Sequence, residues 1–309
     1  MTLSTLFRRS LDDVIANWPL ILVRVAEGFV VFGTIIFSIL VAVVPLGIFA
    51  SLRDFDFRNG DPTRILGAIT AGQLAAVLYA LLVVGIAVGV LIAIRSFVEA
   101  GTVAVMAEAE RTGTESPVPS FTLDRWFRAA RNGWWRVFLI YNVIWGVASL
   151  ILLFPLLAIA AVAVRWLEHP AVLVAGCALA LVFVLVALVV SLITHLWTHF
   201  SITASIYGRL GAVEGMKEGL RLFRRHAGPA IVVLIVSFVI SFAVGMLGAI
   251  LNLAHGASQH APFLNLVFLP MQLVMFFVQS ALGVFLGLWF TAAIVSLVVR
   301  GGGFEPLPA

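Results

Sequence analysis

Long apolar runs separated by short polar stretches make up most of the chain, and six of them are long enough to cross a bilayer: residues 28–50, 69–94, 137–164, 171–193, 229–253 and 273–299. A hydrocarbon core needs about 20 residues of helix, and each run reaches that length. Several exceed it, which predicts tilted or protruding helices.

Three further segments carry the 3.6-residue period of an amphipathic helix. In residues 3–15, Leu3, Leu6, Phe7, Leu11, Val14 and Ile15 share one face, with Arg8, Arg9, Asp12 and Asp13 opposite. Residues 121–136 set Trp126, Phe127, Ala130 and Trp134 against Arg125, Arg128 and Arg131. Residues 212–225 set Met216, Leu220 and Phe223 against Glu214, Lys217, Glu218, Arg221 and Arg224. Helices of this kind lie in a membrane interface. Each precedes an odd-numbered span and ends on a polar residue followed by a helix breaker or an aromatic: Asn17-Trp18-Pro19, Asn132-Gly133-Trp134 and His226-Ala227-Gly228-Pro229.

Interfacial helix, span, short loop and span therefore recur three times. The pattern predicts an all-α integral membrane fold of six transmembrane helices in three repeated hairpins. The repeat units are about 1–98, 121–207 and 212–300, within one membrane domain, 1–300, and residues 301–309 form a short flexible tail. Residues 112–119, rich in Gly, Ser and Pro, read as a loop.

Composition strengthens this reading. Of 309 residues 62% are hydrophobic and 11% charged, where a soluble domain carries about a quarter charged. The net charge of +4 comes from short basic blocks between apolar runs, a sign of membrane orientation and not of nucleic-acid binding. Placing both termini and the amphipathic helices on one side leaves only Arg53, Arg58, Arg64 and Arg165, of 19 basic residues, on the other. The positive-inside rule then predicts cytoplasmic termini in the cell membrane, with no large extracytoplasmic domain. Arg8, Arg9, Asp12 and Asp13 do not fit a secretory signal, so the first span is expected to stay in the mature protein. The dominance of arginine, with Lys217 the only lysine, points to a bacterial source, and the single Cys177 precludes an internal disulfide.

Ionisable and amide groups near membrane depth are the candidates for function, because hydrocarbon penalises them. Arg24 with Glu27 and Arg95 with Glu99 stand one helical turn apart. Together they suit a polar gate; the simpler reading puts them at headgroup depth, the arginines snorkelling and the acids paired with them. His195 and His199 share a helical face that offers two nitrogens to a metal. With no third ligand nearby, a hydrated helix face is expected instead. Ser191, Thr194, Thr198, Ser201 and Ser205 form a polar stripe suited either to a water-filled opening or to local bonds with helix carbonyls.

Gln272 and Gln279, seven apart, share a face where interhelical hydrogen bonding suffices and a substrate contact is the sharper alternative. Gly85 with Gly89 and Gly283 with Gly287 predict close helix packing, within the chain or between two copies. His169, His255 and His260 fall in or beside the far-side loops. The sequence holds no phosphate-binding glycine loop, nucleophile triad or metal cluster of adequate size, so no enzymatic activity, metal or cofactor is expected.

The stretch from Gly211 to His226, GAVEGMKEGLRLFRRH, resembles a segment of bacterial six-helix membrane proteins of uncharacterised function. It is similar to the membrane domain that some proteins carry fused to a glycerophosphodiester phosphodiesterase, and the junction from Asn132 to Arg136 repeats part of it. The resemblance implies the helical array alone. The metal-binding phosphodiesterase domain is not expected, since only the short tail follows Arg300, and no catalytic residue carries over.

The expectation is a noncatalytic scaffold, accessory or lipid-organising module of the cytoplasmic membrane; the alternative is a transporter or permease of a small or lipid-like solute. Its partners would be a bilayer with an anionic inner leaflet and a protein partner or second copy. Nucleic acid is not among them.

Overall fold

The computed structural model describes residues 2–48, 71–113, 118–166, 170–258 and 262–301. These form seven helices: α1 (Leu3–Ala16), α2 (Pro19–Ile48), α3 (Ala71–Thr112), α4 (Leu123–Trp166), α5 (Pro170–Tyr207), α6 (Ala212–Ser258) and α7 (Pro262–Arg300). All but α1 contain a stretch long and apolar enough to cross a membrane, which makes the chain an integral multi-pass membrane protein. The loop 51–64, His169, His260 and the tail 302–309 lie outside the described residues, as do the side chains of Arg165, Cys177, His255 and Gln272.

The helices run well past the apolar stretches. α4 has 44 residues and α6 has 47, and at about 1.5 Å per residue either is roughly twice as long as a hydrocarbon core is thick. The second and third amphipathic segments are consequently continuous with their spans. α4 passes unbroken through Asn132-Gly133-Trp134, because one interior glycine costs only about 1 kcal/mol. α6 bends at His226 (φ −116, ψ 18): Pro229 removes an N–H and its ring crowds the carbonyl four residues back. Only α1 is separate, ending at Asn17.

Two compact units are distinguishable. Unit 1 comprises Met1–Glu27, Phe97–Ile140 and Leu196–Ala309. Its centre is the last third of α7, where every residue from 288 to 298 is buried. Ala100, Val103 and Met106 of α3, Ile140 of α4, Phe200 and Ile202 of α5 and Val233 of α6 are fully buried with it. α3 meets the start of α4 through Phe97, whose ring lies 5.6 Å from Trp126 and 5.5 Å from Phe127. Gly101 belongs to this contact, since a Cβ there would sit 2.5 Å from Trp126 Nε1.

α5 crosses the start of α6 more tightly still. A Cβ on Gly215 would lie 2.7 Å from Ser205 Cβ, and one on Gly219 would fall inside the backbone of Ser201. Trp197 Nε1 donates to Met216 O at 3.0 Å, and Phe200 faces Phe223 at 6.1 Å. The turn between them closes with Leu210 N–H donating to Ser205 O and Arg209 N–H to Ile206 O, the bonding pattern of a helix-ending turn that favours glycine at its left-handed position. Here Arg209 occupies it, at φ 53. Arg136 Nη1 donates to Leu210 O at 3.1 Å and braces the turn.

α1 packs on α7, with Phe7 and Trp289 5.4 Å apart. Its buried face is not the expected one: Leu6, Ser10, Asp13 and Val14 turn inward. Leu11, Ile15, Trp18, Leu22 and Val25 stay exposed, and their three- and four-residue spacing carries one apolar stripe from α1 into α2. The reason is polar pairing within the protein. Asn17 Oδ1 accepts from the backbone N–H of Ser120 and of Phe121, both at 3.0 Å, and its Nδ2 donates to Asp13 Oδ1 at 2.8 Å.

Unit 2 comprises Gly28–Ser96 and Tyr141–His195. Its surface is apolar, with Phe29, Phe32, Phe37, Leu81, Ile86, Phe154, Leu181 and Leu185 among many exposed side chains, as a lipid-facing wall requires. A groove of about 610 Å³ runs between α2 and α3, lined by Val30, Gly33, Phe37, Val83, Ile86 and Val90 together with Thr34 and Ser38. Both hydroxyls donate to carbonyls of their own helix, Thr34 to Val30 O and Ser38 to Thr34 O. Gly85 and Gly89 have no described atom within reach of a Cβ, and neither do Gly283 and Gly287 in unit 1. The close packing predicted at those pairs does not occur within the described part of this chain.

Candidate functional site

Unit 1 gathers charged side chains from three spans in its interior. Glu99 of α3 is fully buried, Arg24 and Glu27 of α2 are 7% exposed and His199 of α5 is 4% exposed. Arg24 Nη1 donates to Glu27 Oε2 at 2.8 Å, and Nη2 donates to Glu99 Oε2. His199 Nδ1 lies 3.5 Å from Glu99 Oε1. The imidazole stands edge-on to Phe290 of α7, with ring centres 5.1 Å apart. Isolated buried charges are too costly to persist, so pairing of this kind is the condition for placing them here.

Two expectations change. Arg24 and Glu27 are buried inside the protein instead of reaching outward, and Arg24, besides pairing with Glu27, bridges to Glu99 on α3. His199 is not on a hydrated face but turned onto a carboxylate. Arg95 is exposed and His195 half-buried, one turn earlier on α3 and α5, and both belong to unit 2.

The polar stripe is packed instead of water-lined. Thr198, Ser201 and Ser205 are buried, the two serines against Gly219 and Gly215, while Thr203 Oγ1 donates to His199 O at 2.9 Å. Gln279 Nε2 donates to Val244 O of α6 at 3.1 Å, an interhelical bond of the expected kind. Among the described residues no three His, Cys, Asp or Glu side chains come together to hold a metal.

A second charged cluster, built on the buried Glu110, escaped the sequence reading. Glu110 lies eleven residues beyond Glu99, three turns of α3, so the two share a face about 16 Å apart. Its Oε2 accepts from Arg9 Nε at 2.7 Å and from Arg300 Nε at 2.8 Å, and its Oε1 from Ser296 Oγ. Arg9 Nη2 donates to Gly113 O at 3.1 Å and Arg300 Nη2 to Glu110 O at 2.7 Å. Asp13 lies one turn from Arg9 and is fully buried. Burial pushes its carboxyl well above the usual carboxylate range, and the negative charge of Glu110 adds to the shift; the Asn17 amide and Arg9 oppose it without reversing it. The eleven-residue spacing of the two acids was the available sequence signal.

Chemically, the first cluster contains a carboxylate–imidazole pair and the second a carboxylate held by two guanidiniums and a hydroxyl. No curated protein and no solved structure matches the chain. Residues 97–253, just over half of the 309-residue sequence and including Glu99, Glu110 and His199, match the family described as "Protein of unknown function (DUF4013)", and the chain belongs to that DUF4013 family.

Proposed function

We propose that the chain is a noncatalytic module of the cytoplasmic membrane that organises anionic lipid around its helix ends and serves as an accessory scaffold there. The observation that carries this reading is the division of its charges. Buried carboxylates are paired within the protein, Glu27 and Glu99 with Arg24, and Glu110 with Arg9 and Arg300. Arg8, Arg125, Arg128, Arg131, Lys217, Arg221, Arg224 and Arg225 face outward. Each basic residue near an anionic surface contributes about 1 kcal/mol of attraction. The exposed apolar stripe of α1, with Phe127 and Trp135 of α4, supplies anchors in the same interface.

In this reading the three hairpins are equivalent, the amphipathic segments rest on the inner leaflet and both termini are cytoplasmic. Three contacts support the repeat: Phe97 of α3 on Trp126 of α4, Phe200 of α5 on Phe223 of α6, and Trp289 of α7 on Phe7 of α1. Each joins the end of one hairpin to the amphipathic segment of another. The resemblance to a membrane domain that accompanies a phosphodiesterase in other proteins favours an accessory role.

The test is lipid analysis of protein extracted with its surrounding bilayer. Anionic lipid should be enriched over the bulk membrane, lost in K217Q/R221Q/R224Q/R225Q and retained in R24M/E27L/E99L. Absence of enrichment in the wild type sinks the reading. The buried Glu99 and His199 favour transport as the second reading. It takes over if R24M/E27L/E99L is folded and expressed normally but loses cellular function.

A further inference from the structure

We propose that α1 is a pH-sensitive strap, docked on α7 while Asp13 is uncharged and released from it when Asp13 ionises. This does not rest on the lipid-organising reading. α1 lies outside the six stretches that can cross the membrane and ends in a backbone break at Asn17 (φ −112, ψ 34), so it can leave without unwinding a span. It packs on α7 through Phe7 and Trp289, and Asp13 is fully buried on its inward face. Asp13 Oδ1 accepts from Asn17 Nδ2 at 2.8 Å. Its Oδ2 is also buried and has no hydrogen-bond partner among the described residues. A neutral carboxyl is far less costly in such a site than a carboxylate.

The surroundings of Asp13 favour the neutral form. Burial is the largest influence and the negative charge of Glu110 on α3 adds to it, while the Asn17 amide and Arg9 oppose them and are outweighed. Arg9 meets Glu110 at 2.7 Å, and Arg300, the one charged residue of α7, meets the same acid at 2.8 Å. Beyond Asn17, Ser120 and Phe121 offer backbone N–H groups, and Arg125 of α4 donates to Ser120 O at 3.1 Å. Once α1 leaves, Asp13 meets water and returns to the ordinary carboxyl range. The step breaks only the O–H bond of Asp13, with the proton passing to water. Release therefore sheds one proton, so between the ordinary and the raised value each pH unit should weaken docking about tenfold.

Thiol accessibility in lipid nanodiscs tests this, in a C177A background so that each variant carries one cysteine. Ser10 is fully buried on the docked face and Ser4 is exposed on the same helix, so the rate at which a water-soluble thiol reagent modifies S10C, divided by that for S4C, reports release of α1. Between about pH 5 and about pH 9, above the ordinary aspartate value, that ratio should rise about tenfold per pH unit until Asp13 itself titrates. With D13N added the ratio should stay flat. T203C, buried on α5 in the same unit, should remain protected throughout. A ratio that does not change with pH, an equal rise in D13N, or a T203C rate that rises with that of S10C would each overturn the proposal. If D13N does not fold, the S10C, S4C and T203C series decides alone.

Discussion

Asp13 keeps a proton in the folded chain that an ordinary carboxyl, with its value of 3.8, has lost. Because the folded value is raised, the resulting stabilisation is complete below the ordinary value and disappears as pH rises through the shifted one. Thermal unfolding in mild detergent should therefore show a midpoint that falls as pH rises above about 4. D13N should flatten that dependence and be the more stable protein at the alkaline end. Arg209 gives a test with no charge in it: its left-handed backbone costs an L-residue about 1 kcal/mol or slightly more. R209G should raise stability in denaturant titration by about 1 kcal/mol, less the added chain entropy of glycine. The sequence placed Arg9 and Asp13 on the polar face of α1, which is correct as periodicity. Periodicity identifies residues that share a face but not what lies opposite. Here Glu110 and Asn17 lie opposite, so Arg9 and Asp13 turned inward while Arg8 and Asp12 stayed accessible.

Identical spacings gave opposite packing at the level of helices. Gly215 and Gly219 have the same four-residue separation as Gly85 with Gly89 and Gly283 with Gly287, yet only the first pair meets another helix, because Ser201 and Ser205 offer small side chains at the crossing. G219A should lose about 1–3 kcal/mol through forced helix separation. G283A, with open space around it, should be neutral or gain up to about 1 kcal/mol from helix propensity; both are measurable by unfolding in the same detergent. The six spans were legible because hydropathy needs no knowledge of neighbours. The junctions were only partly so: Pro229 bends α6 and the chain breaks at Asn17, but Asn132 and Gly133 leave α4 continuous, held where a Cβ on Gly133 would meet Ile206 at 2.6 Å.

The sequence grouped Arg24, Glu27 and Glu99, with Arg95, as a candidate gate, but that His199 of α5 turns onto Glu99 was not legible there, although His199 too was singled out. The positions of Glu99 and His199 look like separate helix ends, and only the fold brings them together. The same is true of Glu110. E110L should destabilise the protein by about 1–3 kcal/mol, because it leaves two partly hydrated guanidiniums without their acid. Replacing the whole set, R9M/E110L/R300M, should recover most of that loss in the same unfolding assay. Glu110 takes one arginine from the first helix and one from the last, and this gives the chain a rule of biogenesis. While the ribosome is still making α7, the earlier helices hold an acid whose partners Ser296 and Arg300 do not yet exist. A chain released before those residues holds that carboxylate on Arg9 alone, so the cluster closes only once α7 has been made.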